Sequence, residues 1–174
     1  RNWQANIAHV SQDIYLFDST IAENIAFGES KSEIDFDLVR DSAKNACIAE
    51  TIESWSDQYQ TVIGERGVRL SGGQIQRVSI ARALIKDPKI LLFDDCLSAV
   101  DTDTEEKILR NLKSFCQNKT TIIVSHRISS VKDADHIIVL DKGNIIEDGN
   151  HQKLINQKGF YFELFNKQQN EKQF

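Results

Sequence analysis

Between Asp87 and Gly149 short aliphatic runs alternate with stretches of helical spacing. Lys89-Ile-Leu-Leu-Phe-Asp94, Thr120-Thr-Ile-Ile-Val-Ser125 and His136-Ile-Ile-Val-Leu140 are nearly continuous apolar runs of strand length. Strands buried on both faces read this way, and their alternation with helices predicts βαβ units around a parallel sheet. After the first run, Ile108, Leu109, Leu112 and Phe115 recur at helical spacing over Thr102 to Phe115, with Thr102 and Glu105 placed as a capping box. One face of that helix is expected to pack on the sheet. Lys142-Gly143-Asn144 predicts a turn into a short strand, and Asn150 a cap for the first of two closing helices that run towards Phe165. The polar stretch after Lys167 is expected to fray.

The earlier half has a different rhythm. After Ile7-Ala-His-Val-Ser11 the patterns are helical and broken by polar loops: Thr20-Ile-Ala-Glu23 is a capping box, and Leu38, Val39, Ser42, Ala43 and Ala46 form a stripe. This predicts a separate helical subdomain. A third helix starts at Gly72, runs through Val78, Ile80, Ala81, Leu84 and Ile85, and is stopped by Pro88, the only proline.

Composition narrows the class. The 174 residues carry 21 Lys+Arg against 26 Asp+Glu, with 40% hydrophobic residues, which is the make-up of one globular domain. A net charge of -5 without a basic block argues against nucleic-acid binding, which needs a cationic footprint. No apolar run approaches the roughly 20 residues that span a bilayer, so the chain itself is expected to be soluble. Cys47, Cys96 and Cys116 are odd in number and widely spaced, which fits reduced thiols in a cytosolic setting better than a disulfide frame or zinc site.

The chemistry concentrates in three places. Leu70-Ser71-Gly72-Gly73-Gln74 leads directly into a helix. Two glycines admit a ligand close to the backbone, a hydroxyl is at hand, and first-turn N–H groups point outward at the positive end of the helix dipole, which together make a phosphate cradle. The plain alternative is a serine-capped helix with a flexible entry. Second, the strand Ile90-Leu-Leu-Phe-Asp94-Asp95 ends in two acids, at the edge where open α/β sheets bind ligands. Asp94 could hold Mg²⁺ and Asp95 orient a water for in-line attack on phosphorus, or both could be a solvated strand end. Third, Ser125-His126-Arg127 sets an imidazole after the next strand, where it could donate to a transferring phosphoryl oxygen.

Taken together and in this order, these segments resemble the nucleotide-binding domain of ATP-binding-cassette (ABC) exporters, over essentially the whole chain. Gln12 looks like the family's Q-loop glutamine, a catalytic and magnesium-side residue, and Leu70, Ser71, Gly72, Gly73 and Gln74 like its signature motif. Asp94 looks like the Walker B magnesium acid, Asp95 occupies the place of the general base, Ser98 to Asp101 resembles the D-loop, and His126 the switch histidine. Gly64-Glu65-Arg66-Gly67 looks like the loop that precedes the signature in exporters.

The resemblance implies an α/β fold: part of a RecA-like P-loop NTPase core with a parallel sheet, plus an α-helical subdomain. Residues 1–12 would end the N-terminal part of the core, residues 13–87 form the helical subdomain, and residues 88–174 form the rest of the core. The implied cofactors are ATP and Mg²⁺. Two such domains would pair head to tail, so that Ser71, Gly72 and Gly73 grip ATP held by the partner, while Gln12, Asp94, Asp95 and His126 serve the nucleotide on the chain's own face. Ser98 and Asp101 would carry communication across the dimer. Glu65, Arg66, Gly67 and Phe17 would couple to an exporter's transmembrane domain, placing the chain at the cytoplasmic face of the cell (inner) membrane.

Two departures qualify this. Among the eight glycines none is followed by lysine, so the family's phosphate loop G-x-x-x-x-G-K-[ST] is not in the chain. Its N–H nest and lysine supply most of the grip on the β- and γ-phosphates. The expectation is therefore a fragment that binds ATP weakly on its own face. Asp95 stands where exporters with two active sites usually carry glutamate, which sets the carboxylate back by about 1.5 Å, and a displacement of about 1 Å can cost on the order of a hundredfold in rate. This resembles the degenerate-site subunit of heterodimeric exporters. The rival readings are a non-catalytic interaction module that completes a partner's ATP site, and a soluble ABC-type ATPase of DNA maintenance or translation.

Overall fold

The computed structural model describes residues 6–27, 33–64 and 67–171. Its described residues divide into two units, 1–124 and 125–174.

In the first unit, strand β1 (Ile7–Val10) is followed by β2 (Ser19–Thr20) and helix α1 (Ile21–Ala26). The capping box expected here is present: Thr20 Oγ1 accepts from the Glu23 N–H at 3.2 Å, and the Glu23 carboxylate accepts from the Thr20 N–H at 3.0 Å. Helix α2 (Phe36–Asn45) is capped by Asp35 and buries Val39, Ser42 and Ala43. Then come α3 (Ala49–Glu53), β3 (Val62–Ile63), which pairs antiparallel with β2, and α4 (Gly72–Leu84). Buried Pro88 precedes β4 (Ile90–Asp94), the central strand. Helix α5 (Thr102–Phe115) crosses over to β5 (Thr120–Val124). The sheet order is β1-β4-β5, parallel throughout, with Val10 opposite Phe93 and Asp94 opposite Val124.

One hydrophobic cluster joins these helices to the sheet. It includes Val10 and Leu91 from the strands, Ile21 and Ile25 from α1, Val39 from α2, Val78 and Ile80 from α4 and Ile108 from α5, all fully buried. Each such aliphatic side chain contributes about 1.5 to 3 kcal/mol by leaving water, so α4, which touches α1, α2 and β1, is fixed from three sides.

The second unit holds α6 (Ile128–Val131), β6 (Ile137–Asp141), β7 (Asn144–Gly149), α7 (His151–Gln157) and α8 (Phe160–Glu171) around Ile128, Ile137, Leu154 and Tyr161. Asn150 caps α7 as expected, accepting from the Lys153 N–H at 2.9 Å.

Three local expectations are corrected. Helix α5 is capped by Asp101, whose carboxylate accepts from the Thr104 N–H at 2.9 Å, and not by Thr102. Asp101 has the extended φ of -65° and ψ of 156° that an N-cap needs, while Thr102 is already helical. The run near His136 does not extend the parallel sheet: β6 pairs antiparallel with β7 through Lys142 and Gly143, whose φ values of 46° and 80° make a tight hairpin turn. The chain does not fray after Lys167 within the described residues, because α8 continues to Glu171 and Gln168 is hydrogen-bonded on both sides.

Candidate functional site

The signature segment is built as a helix start. Ser71 is extended, with its Oγ accepting from the Gln74 N–H at 3.3 Å, and the Gln74 Oε1 accepts from the Ser71 N–H at 2.8 Å. This reciprocal box leaves the N–H groups of Gly72 and Gly73 without an intrahelical acceptor, as at any helix N-terminus. Ser71 and Gly72 are exposed. A hydroxyl carries one donor and two acceptor positions, so Ser71 can hold the helix cap and still donate its proton outward. The site therefore offers one O–H and two N–H donors at the positive end of a 13-residue helix dipole, which is the electrostatics an anionic phosphate needs. Leu70 is half-buried against the main core and anchors the entry.

The second glycine has a neighbour as well as an open side. A Cβ on Gly73 would lie 2.8 Å from the Ala99 carbonyl oxygen, so this position must be glycine for the signature to sit against the turn that follows β4. Gln76, one turn further along α4 and only 7% exposed, completes that junction. Its Nε2 donates to Ser98 Oγ at 3.1 Å and its Oε1 accepts from the Ala99 N–H at 2.9 Å. Ser98 Oγ in turn donates to the Asp95 carbonyl at 3.0 Å. Arg77 holds the other side, donating to the Gly73 carbonyl at 3.2 Å and to the Cys47 carbonyl at 2.6 Å. Burial pushes the Arg77 guanidinium below its ordinary pKa, with Asp101 partly opposing the shift.

The acidic strand end is close by in the fold. Asp94 ends β4, and Asp95 turns out of it in the left-handed region at φ 44°, its N–H donating to the Val124 carbonyl at 2.9 Å. Aspartate tolerates this conformation better than most residues. The register of Val10 opposite Phe93 puts Gln12 and Asp95 each two residues past a paired position, so the exposed Gln12 and the half-buried Asp94 and Asp95 leave the sheet at one edge. Asp101, capping α5, has its pKa lowered by the Thr104 N–H bond.

The aromatic surface around Phe17 is held by Arg82 of α4. Its Nε donates to the Asn24 carbonyl at 2.7 Å, one terminal nitrogen to the Tyr15 carbonyl at 2.9 Å, and the other to Asn24 Oδ1 at 2.8 Å. The guanidinium lies 5.4 Å from the Phe17 ring centre and 5.7 Å from that of Phe27. Asn24 is fully buried and pairs with the Phe17 N–H and carbonyl at 2.9 and 3.0 Å. Tyr15 and Phe27 remain 72% and 63% exposed, an aromatic patch on a rigid base. Gly67 follows β3, its N–H donating to the Gly64 carbonyl at 3.3 Å. Glu65 and Arg66 lie outside the described residues.

In the second unit, exposed His126 follows Ser125, whose Oγ accepts from the Arg127 N–H at 3.0 Å, and the His126 carbonyl accepts from Gln168 Nε2 at 2.7 Å. Gln76, the Arg82–Asn24 pair and Gln168 were not singled out by the sequence. The only signal available was their polar character on α1, α4 and α8.

Residues 1–98 match the ABC transporter family, and the chain belongs to that family. It is 44% identical over 160 residues to the ATP-dependent lipid A-core flippase of Francisella novicida, covering 92% of this chain and 27% of that protein. It is also 44% identical over 168 residues to the ATM1-type heavy metal exporter of Novosphingobium aromaticivorans, covering 95% of this chain and 27% of that protein. A solved structure of a bacterial Atm1-family ABC exporter with ATP bound superposes with a TM-score of 0.88 at 43% identity, covering 95% of this chain and 29% of that one. The chain thus spans about a quarter of the length of the curated relatives it matches. The α/β fold with a parallel sheet and the exporter-type nucleotide-binding domain expected from the sequence are both borne out, and membership of the family carries ATP binding with it.

Proposed function

We propose that this chain is the ATP-binding and hydrolysing part of an ABC exporter, which turns ATP binding and hydrolysis in a head-to-tail pair of such domains into substrate movement across a membrane. Residues 1–12 and 88–174 belong to the ATPase core in this reading and residues 13–87 to the helical subdomain. The observation that carries it is the N-terminus of α4: a donor set of exposed Ser71 and Gly72 and half-buried Gly73 whose cap is internally satisfied. The partners are a second nucleotide-binding domain and the exporter's transmembrane domain, with the chain at the cytoplasmic face of the inner membrane.

Ser71 and the N–H groups of Gly72 and Gly73 bind the γ-phosphate of ATP seated on the partner domain. They are fixed before the nucleotide arrives, so little reorganisation opposes charge development. Asp94 and Gln12 offer the hard carboxylate and amide oxygens that suit Mg²⁺, an ion held by one or two carboxylates plus phosphate and water. When bound, the ion neutralises charge on the phosphates. Asp95 orients the attacking water, and His126 donates to the phosphoryl oxygen. Phe17, Tyr15 and Phe27 present the aromatic face that receives the transmembrane domain, and Glu65, Arg66 and Gly67 are assigned to the same coupling from their place in the sequence.

The Asp95 carboxylate is one methylene shorter than glutamate. We therefore assign this chain to the weaker half of an asymmetric pair: its signature completes the partner's competent site, and its own acid serves a slow one. The test is ATP hydrolysis by the membrane-embedded protein that carries this domain. Removing one preorganised donor with Ser71→Ala lowers turnover on the order of a hundredfold. Unchanged turnover would overturn the assignment.

A further inference from the structure

Gln168 grips the backbone on both sides of Arg127. Its Nε2 donates to the His126 carbonyl at 2.7 Å, and its Oε1 accepts from the Ile128 N–H at 2.9 Å. One primary amide thus meets a carbonyl and an N–H two residues apart, the pairing a neighbouring strand would provide. That demands an extended backbone between them, and Arg127 has φ -98° and ψ 123°. The Arg127 N–H is held separately by Ser125 Oγ at 3.0 Å. The segment from Ser125 to Ile128 is therefore fixed largely by side chains.

The clamp itself has a firm base. Helix α8 is capped by Glu147 of β7, whose carboxylate accepts from the N–H groups of Phe160 and, at 3.0 Å, Tyr161. The Tyr161 ring is 2% exposed, and its hydroxyl meets His151 Nδ1 at 2.8 Å. Gln168 lies about two turns along the same helix, so its amide arrives at the His126 segment from an element anchored elsewhere. The imidazole of His126 is exposed while its backbone is held, which leaves the ring's direction to its two side-chain torsions alone.

We infer that Gln168 is a positioning residue for His126, and that α8 is the element through which the C-terminal part of the chain governs the switch histidine. The inference rests on the reading of His126 given above. Gln168 touches no phosphate; it acts by removing backbone freedom from the residue that does. Misplacing a reacting group by about 1 Å can cost on the order of a hundredfold, and losing one of several restraints on His126 costs on the order of tenfold.

The experiment reads the chain's own site: it measures the ATP hydrolysis that remains in the membrane-embedded protein once Ser71→Ala has silenced the partner's competent site, in four forms of that background: no further change, Gln168→Ala, His126→Ala, and both together. Gln168→Ala is expected to lower kcat about tenfold while the KM for ATP stays within about twofold. In the His126→Ala background the same substitution produces no further loss. A residue that merely supports the fold would lower both backgrounds by the same factor, and that result would overturn the inference, as would an unchanged kcat. If His126→Ala alone leaves turnover intact, it is the reading of His126 that fails, and that arm shows it independently. Gln168→Glu preserves side-chain volume and the acceptor for Ile128 but replaces the donor to His126 with an anionic oxygen. It is expected to match Gln168→Ala at neutral pH in the same background, and residual turnover as high as with glutamine would contradict the clamp even if the alanine form proved unstable.

Discussion

Gln76 and Ser98, 22 positions apart in the chain, are joined by a 3.1 Å hydrogen bond that ties the signature helix to the turn after the acidic strand. The other end of the same amide accepts from Ala99, and Ser98 continues the link to the Asp95 carbonyl. The residues proposed to grip a partner's nucleotide and the acid proposed to serve the chain's own are therefore parts of one hydrogen-bonded body.

Replacing Gln76 with leucine keeps the volume but strands the Ala99 N–H and removes the donor to Ser98. The expected cost is about 1 to 2 kcal/mol, read as a lower urea midpoint with unchanged slope. Gln76→Glu keeps the acceptor for Ala99 and should fall between leucine and wild type. A leucine variant as stable as wild type would show that the amide does not hold the junction.

Arg82 makes three donor bonds to Asn24 and Tyr15 from a half-buried position, and burial lowers its pKa. Arg82→Met leaves the fully buried Asn24 side chain without its guanidinium partner. A loss of about 2 to 3 kcal/mol is expected, measured by urea unfolding. Lysine has no planar fork and should restore less than half of it. Full recovery in Arg82→Lys would mean that charge alone matters there.

These two junctions mark the limit of what the sequence disclosed. Strands β4 and β5, helix α4 with its stop before Pro88, and the Thr20 capping box were legible because each depends on a few consecutive residues. The Asp101 cap was misassigned to Thr102 because two capping residues stand side by side and only the backbone entry decides between them. The β6 run resembled a buried parallel strand, yet Ile138 and Leu140 are 49% and 66% exposed in an antiparallel hairpin. Arg82 reaches Asn24 across 58 positions and Gln168 reaches Ile128 across 40, separations at which no local pattern operates. The signature and the acidic strand end were visible as motifs, whereas the left-handed turn at Asp95 and the role of Gln76 came only with the fold.

Asp101 offers a pH test. The Thr104 N–H lowers its pKa below the ordinary 3.8, so its stabilising contribution is fully present above that value and is lost as pH falls through the lower, folded value. Asparagine caps helices equally well but does not titrate. The stability difference between wild type and Asp101→Asn, followed by urea unfolding from pH 6 to about 2, should be flat above about pH 4 and shift against wild type below it. A difference that stays constant across the range would show that the cap bond does not depend on the charge.

The most direct test compares Ser71→Ala with Asp95→Ala in the membrane-embedded protein, by steady-state ATP hydrolysis. If the signature completes a competent site while Asp95 serves a slow one, Ser71→Ala removes nearly all turnover and Asp95→Ala leaves most of it. If Asp95→Ala abolishes hydrolysis as completely as Ser71→Ala, the two residues are equally necessary and the asymmetric account is wrong.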